Sequence, residues 1–241
     1  MTLSHDVQGS GPAILLLHST ACDRRMWDPQ IPALTAAGHR VVRCDLNGYG
    51  QSPVPATSWS DAQDIVDLLG ALGIDRFALV GASGGGRVAL EVASRWPDRI
   101  TALALLCTAV DDHEPSAELR AFGDREDELL EAGDIDGAVR LNVEMWAGDA
   151  IRDRVAMMQR HVFEVQLAAP GDVGPLRVPA DLDAITAPVL IVSGTRDVAD
   201  FQVIATGLAA RLGARHVELD AGHLPSMERP DEVNDLLVSF L

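Results

Sequence analysis

Lysine is missing from the chain, and all nineteen basic side chains among its 241 residues are arginines. Schiff-base catalysis and a G-x-x-x-x-G-K-[ST] phosphate loop both depend on a lysine ammonium, so both classes drop out. Positive charge is scarce altogether: 19 basic against 36 acidic residues leave a net charge of −17. That charge repels phosphate backbones and anionic lipid head groups over a Debye length. Nucleic acid and membrane surfaces are therefore not expected as partners, and a small neutral substrate is. Cysteine is nearly absent too. Cys22, Cys44 and Cys107 are odd in number and widely spaced, which matches neither a disulfide framework nor a zinc site and reads as three reduced thiols. Aromatic residues make up only 4%. No apolar run approaches the ~20 residues that span a bilayer, and residues 1–10 carry neither a basic nor an apolar leader segment. The expectation is a cytoplasmic protein that needs no metal and no organic cofactor.

What the sequence does have is an alternation. Short apolar runs of strand type at 13–18, 40–44, 77–80, 100–106, 189–192 and 215–219 are separated by helix-period segments at 59–72, 84–96, 200–212 and 231–241. That order predicts βαβ crossovers and an α/β fold whose central sheet is mostly parallel and flanked by helices. The length suits one such domain. Between Asp111 and Pro188 the helical segments 114–132, 135–146 and 152–168 follow one another with no strand, which predicts a helical cap inserted into the core. The expected division is a core of residues 1–110 and 181–241 and a cap of residues 111–180, with loop-like junctions at 111–115 and in the Gly/Pro-rich stretch 170–179. The acidic run 124–131 reads as a solvated helix face.

The chemistry-bearing signal is Gly81-Ala82-Ser83-Gly84-Gly85, a G-x-S-x-G pattern that directly follows an apolar strand and precedes a helical run. In that setting a serine sits in a strained turn that small neighbours permit, with its hydroxyl exposed and the next backbone N–H, that of Gly84, free for an oxyanion. A serine hydroxyl is a weak nucleophile until a base takes its proton. His223, in Ala221-Gly222-His223-Leu224-Pro225 after the last strand, is the histidine placed on a suitable loop. Asp197, in Ser193-Gly194-Thr195-Arg196-Asp197, follows the preceding strand and is the candidate acid, with Asp200, Asp111 and Asp112 as alternatives. The second oxyanion donor is expected from the loop after the first strand, at the Thr20 N–H. His18, at the end of that strand, reads as structural. Trp27, and in the cap Trp146, Met157 and Phe163, are candidates for substrate contact, against the plainer reading of core packing.

The run of His18, Trp27, Asp45-Leu46-Asn47-Gly48-Tyr49-Gly50-Gln51-Ser52, the Ser83 elbow, Asp197 and Gly222-His223 resembles the α/β-hydrolase superfamily, over nearly the whole chain outside the cap. The stretch 26–34 resembles its enol-lactonase and carboxylesterase branch, to which 3-oxoadipate enol-lactonases belong. The resemblance implies an α/β-hydrolase fold and a serine hydrolase for a small ester, thioester or lactone. Three features depart from the family pattern: Ser19 replaces the usual glycine after His18, Asn47 replaces an arginine, and the N-terminus looks too short for a first hairpin strand. Ser19 either narrows the oxyanion loop or adds a hydrogen bond to it. Other readings remain: a ligand receptor on the same fold, or perhydrolysis or C–C cleavage by the same residues. A dinucleotide loop at Gly84-x-Gly86-x-x-Ala89 is a further one, although Asp111, the nearest acid beyond the next strand, lies about 27 residues on, past the usual ~20.

Overall fold

The computed structural model describes residues 3–169 and 173–241 of the chain. Seven strands form one sheet: β1 (His5–Gln8), β2 (Ala13–Leu17), β3 (Arg40–Cys44), β4 (Phe77–Ala82), β5 (Ile100–Leu106), β6 (Val189–Gly194) and β7 (Arg215–Leu219). Their order is β1-β3-β2-β4-β5-β6-β7. All neighbouring pairs are parallel except β1 with β3. The expected mostly parallel sheet is thus present, with one addition. The N-terminal strand β1 exists, antiparallel on the edge. Its sequence, His-Asp-Val-Gln, is half-buried to exposed and carries no apolar run, so an edge strand of this kind leaves no periodic signal to read.

The central strands are apolar on both faces because both faces are covered. Along β2, Leu15 and Leu17 join the core on one side and Ile14 and Leu16 the core on the other, the period-two alternation of a pleated strand. The first core holds the buried faces of α2 (Asp61–Ala71), α3 (Gly84–Arg95) and α7 (Ala199–Leu212), through residues such as Ile65, Val88 and Ile204. The second holds those of α1 (Gln30–Ala36) and the C-terminal helix (Pro230–Phe240), through Leu34 and Leu237. Between β5 and β6 the chain forms three helices, α4 (Ala117–Glu131), α5 (Ile135–Trp146) and α6 (Arg152–Leu167). Leu129, Ala138, Val139 and Phe163 give these helices a small core of their own. Of the expected junction at 170–179, residues 170–172 lie outside the described residues. From Val173 the returning chain runs beside Trp59, where the Leu176 N–H donates to the Trp59 carbonyl at 2.6 Å and Pro175 bridges Trp59.

The topology fixes where a site can form. From β2 the chain moves to β3 on one side, then returns to β4 on the other. The loops that leave the carboxyl ends of β2 and β4 therefore diverge and leave a crevice between them. The loops after β6 and β7 open at the same edge.

Candidate active site

Ser83 sits between β4 and α3 with φ 51° and ψ −119°, in the left-handed half of backbone space that a side chain adopts only at a cost. The surrounding glycines make this turn sterically feasible. A Cβ on Gly81 would lie 2.6 Å from the Gly85 carbonyl oxygen, and one on Gly85 would lie 2.3 Å from the His18 carbonyl oxygen and 2.6 Å from that of Leu17. The two glycines of the motif thus let α3 press against β4 and the end of β2. The turn is also hydrogen-bonded: the Ser83 N–H donates to Leu106, while the Ser83 carbonyl receives the N–H groups of Gly86, Arg87 and Ala109.

The Ser83 hydroxyl lies 2.9 Å from Nε2 of His223. On the far side of the ring, Nδ1 lies 3.0 and 2.9 Å from the two carboxylate oxygens of Asp197. All three residues are buried, at 5%, 3% and 8% exposure for Ser83, His223 and Asp197. With Nδ1 facing a carboxylate it carries the ring proton, which leaves Nε2 as an acceptor for the serine hydroxyl. The loops that hold the pair are stitched together: Thr195 N–H donates to Leu219 and Arg196 N–H to Ala221, each at 2.9 Å. The imidazole is also boxed in by aromatic rings, Phe201 at 4.3 Å and Trp146 at 4.6 Å between centroids. Asp200 is engaged elsewhere, with His113 and Ser116, and Asp111 faces Arg87.

Thr20 and Gly84 are neighbours, for a Cβ on Gly84 would fall 2.5 Å from Cγ2 of Thr20. Among the described residues neither backbone N–H is used in a hydrogen bond. Ser19 is fully buried, and its hydroxyl accepts the Ala21 N–H at 3.2 Å, so of its two readings the added hydrogen bond is the one seen. His18, also fully buried, uses both ring nitrogens on the backbone: Nδ1 pairs with the Ser19 carbonyl at 2.9 Å and Nε2 accepts the Leu46 N–H at 3.0 Å. Burial pushes its pKa below the ordinary histidine value, which suits a neutral ring that pins this loop.

A cavity of about 300 Å³ opens over Ser83, lined by Thr20, Gly84, His223 and, from α4 to α6, Phe122, Trp146 and Phe163 among others. The volume falls within the size range of small-molecule sites. Two expected contact residues are elsewhere. Trp27 has 0% exposure and packs in the core beneath α1; although it follows the loop after β2 in sequence, it does not line the cavity. Met157 is 54% exposed and borders a different depression, with Asp23, Arg24 and His161, because α6 turns that position outward. The acidic run also needs correcting at one position. Asp124, Asp127, Glu128 and Glu131 are exposed, but Glu126 faces the cavity beside Asn142, whose amide donates to it, and burial raises its pKa. Sequence reasoning missed Phe201, Arg87, Asn142 and Gln159 as lining residues, all of which look like ordinary helix positions in a linear reading.

The glycines that also fit a dinucleotide loop are packed against protein. A Cβ on Gly86 would lie 2.3 Å from the Thr108 hydroxyl, as one on Gly85 would meet Leu17 and His18, so the backbone at Gly85 and Gly86 is closed to a pyrophosphate. Cys107, Asp197 and His223 bring one ligand atom each within 4.8 Å of one another. As a metal set they fit poorly: His223 Nδ1 is committed to Asp197, and burial pushes the Cys107 thiol well up, away from the thiolate a metal needs.

Comparison with known proteins agrees with this fold. A family model described as "Alpha/beta hydrolase family" matches residues 14–236. A protein of Variovorax paradoxus, named provisionally as the carbamate hydrolase RutD, is 30% identical across 100% of this chain and 96% of its own length. The 3-oxoadipate enol-lactonase 1 of Acinetobacter baylyi is 26% identical across 100% of this chain and 93% of its own. Among solved structures, the enol-lactonase of Burkholderia xenovorans superimposes with a TM-score of 0.81 at 27% identity, over 99% of this chain and 95% of that one. The chain belongs to the alpha/beta hydrolase family.

Proposed function

From membership of that family and the geometry of the cavity, we propose that this protein is a serine hydrolase that cleaves a small carboxylic ester, thioester or lactone through an acyl-enzyme. The observation that carries the reading is the continuous chain of short contacts from Ser83 Oγ to His223 to Asp197. Ser83 Oγ attacks the carbonyl carbon as its proton passes to Nε2 of His223, and Asp197 holds the ring in the required tautomer and stabilises the imidazolium. The charge that develops on the carbonyl oxygen is received by the N–H groups of Thr20 and Gly84, neither of which is hydrogen-bonded among the described residues. Collapse expels the leaving group, which takes the proton from Nε2. Water, activated by the same nitrogen, then attacks the acyl carbon and restores Ser83. Helices α4 to α6 act as the cap, whose aromatic and amide side chains bound the space for the acyl group. The enol-lactonase relatives support a lactone among the substrates.

The test is ester turnover by the purified protein and two variants. Ser83→Ala removes the nucleophile and is expected to lower kcat by ~10⁴-fold or more. Asp197→Asn, which keeps the shape but favours the wrong histidine tautomer, is expected to cost about 10⁴-fold. Full activity in Ser83→Ala, with contaminating esterase excluded, overturns the proposal.

A further inference from the structure

A second cavity, about 310 Å³, adjoins the first between the loop after β3, the start of α2 and the returning segment at 173–177. The two share Thr20, Tyr49, Gly84, Arg87, Gln166 and Arg177. The arginines are conspicuous. Arg87 lies in the first turn of α3, one turn from Ser83, with a side chain only 13% exposed. Among the described residues its guanidinium donates no hydrogen bond, and its one ion pair is with Asp111 at 3.7 Å. Arg177 is exposed and, among the described residues, has no ion pair; the bond from Leu176 to Trp59 fixes the backbone beside it. Asp61, on the wall of the second cavity, takes its donors from Trp59 at 2.9 Å and Asn47 at 3.4 Å and pairs with neither guanidinium.

A largely buried guanidinium that donates no hydrogen bond is unfavourable unless something supplies acceptors, and the exposed Arg177 brings a second guanidinium to the same space. We propose that the substrate carries a free carboxylate, which Arg87 and Arg177 bind where the two cavities meet, while its ester or lactone carbonyl lies between Thr20 and Gly84. This rests on the serine-hydrolase reading of Ser83. A planar guanidinium fork matches the two oxygens of a carboxylate. Two carboxylates already stand by the arginines, Asp111 at 3.7 Å from Arg87 and Asp61 on the wall of the second cavity, and they oppose a phosphate dianion more than a carboxylate monoanion. The net charge of −17 argued for a neutral substrate, but that argument concerns the far field, which salt screens within about 10 Å. At contact distance the two guanidinium groups decide.

The experiment compares hydrolysis of monomethyl glutarate with that of methyl pentanoate by proton release, in the parent protein, Arg177→Gln and Arg87→Gln. The parent is expected to favour the anionic ester in kcat/KM by about tenfold or more, since a site built for a charged group rejects an analogue lacking it. Each variant should cut that ratio by about tenfold, chiefly through KM for the anionic ester. Arg177 is exposed, so its variant gives an answer even where Arg87→Gln fails to fold. A parent ratio at or below one, or an unchanged ratio in Arg177→Gln, overturns the carboxylate site and leaves the hydrolase standing. Calorimetric titration of Ser83→Ala with glutarate, inorganic phosphate and pentanamide separates the two claims. Glutarate binding that Arg177→Gln abolishes supports the site even if no ester is cleaved, and tighter binding of phosphate or pentanamide overturns it.

Discussion

Ser83 shares with Cys107 a positive φ that among the described residues no other non-glycine adopts. Holding a side chain in such a region costs of order 1–3 kcal/mol, paid for by the rest of the fold. A glycine at the same position has no Cβ to strain. Ser83→Gly and Ser83→Ala both lose the hydroxyl, yet the glycine variant should be the more stable by about 1 kcal/mol in chemical denaturation. Equal stability of the two would mean that the elbow stores no strain. At this scale the sequence was legible where turn chemistry forces a residue type. Ser83, His223 and Asp197 each follow a strand, the first two directly beside a glycine and the third three residues after Gly194, and Ser83 and Asp197 each lie within hydrogen-bond distance of His223. It was illegible where helical spacing alone spoke. Met157 and Phe163 are six positions apart on α6, about 120° round the helix, and the helix turns the first outward and the second to the cavity, a difference that a shared apolar character does not reveal.

At the scale of elements, α7 is tied to the stem of α4 through Asp200, which accepts the Ser116 N–H and pairs with His113 Nε2, each at 2.8 Å. Burial alone would raise this carboxyl, but the bonds from Ser116 and His113 outweigh it and hold the pKa at about 2, below 3.8. A depressed carboxylate contributes stability above its unfolded value and loses it as the pH falls through the folded one. Asp200→Asn should therefore lower stability by about 1–3 kcal/mol near neutral pH, and the melting curves of parent and variant should converge as the pH falls from 3.8 toward 2. A gap that persists at the lowest pH would assign the loss to packing instead. Strands and long helices were readable here because each buried face repeats at its own period, as Ile14 and Leu16 do against Leu15 and Leu17. The strand β1 was not, since an edge strand owes its place to pairing with β3 rather than to burial.

For the whole molecule, the order in which strands join the sheet does the work of assembly. The reversal between β3 and β4 opens the crevice, and residues 20, 83, 197 and 223, far apart in sequence, meet there because all follow carboxyl ends of parallel strands. Alternating strands and helices imply that arrangement, whereas the inward turn of Glu126 and the presence of Arg87 and Arg177 on one cavity wall depend on how α4 to α6 and the returning chain settle on the sheet, which no linear spacing encodes. The net charge of −17 spreads self-repulsion over the surface, so added salt should raise the melting temperature by a few degrees through screening. A fall would mean that attractive pairs such as Arg24 with Asp45 outweigh the repulsion. The most direct test of the central claim is to treat the protein with a fluorophosphonate probe and locate the adduct by mass spectrometry. An adduct on Ser83 that disappears in His223→Ala, where the hydroxyl remains but its base is gone, is the predicted result. A folded protein that takes up no probe, or takes it up on another residue, would contradict the assignment of Ser83 as an activated nucleophile.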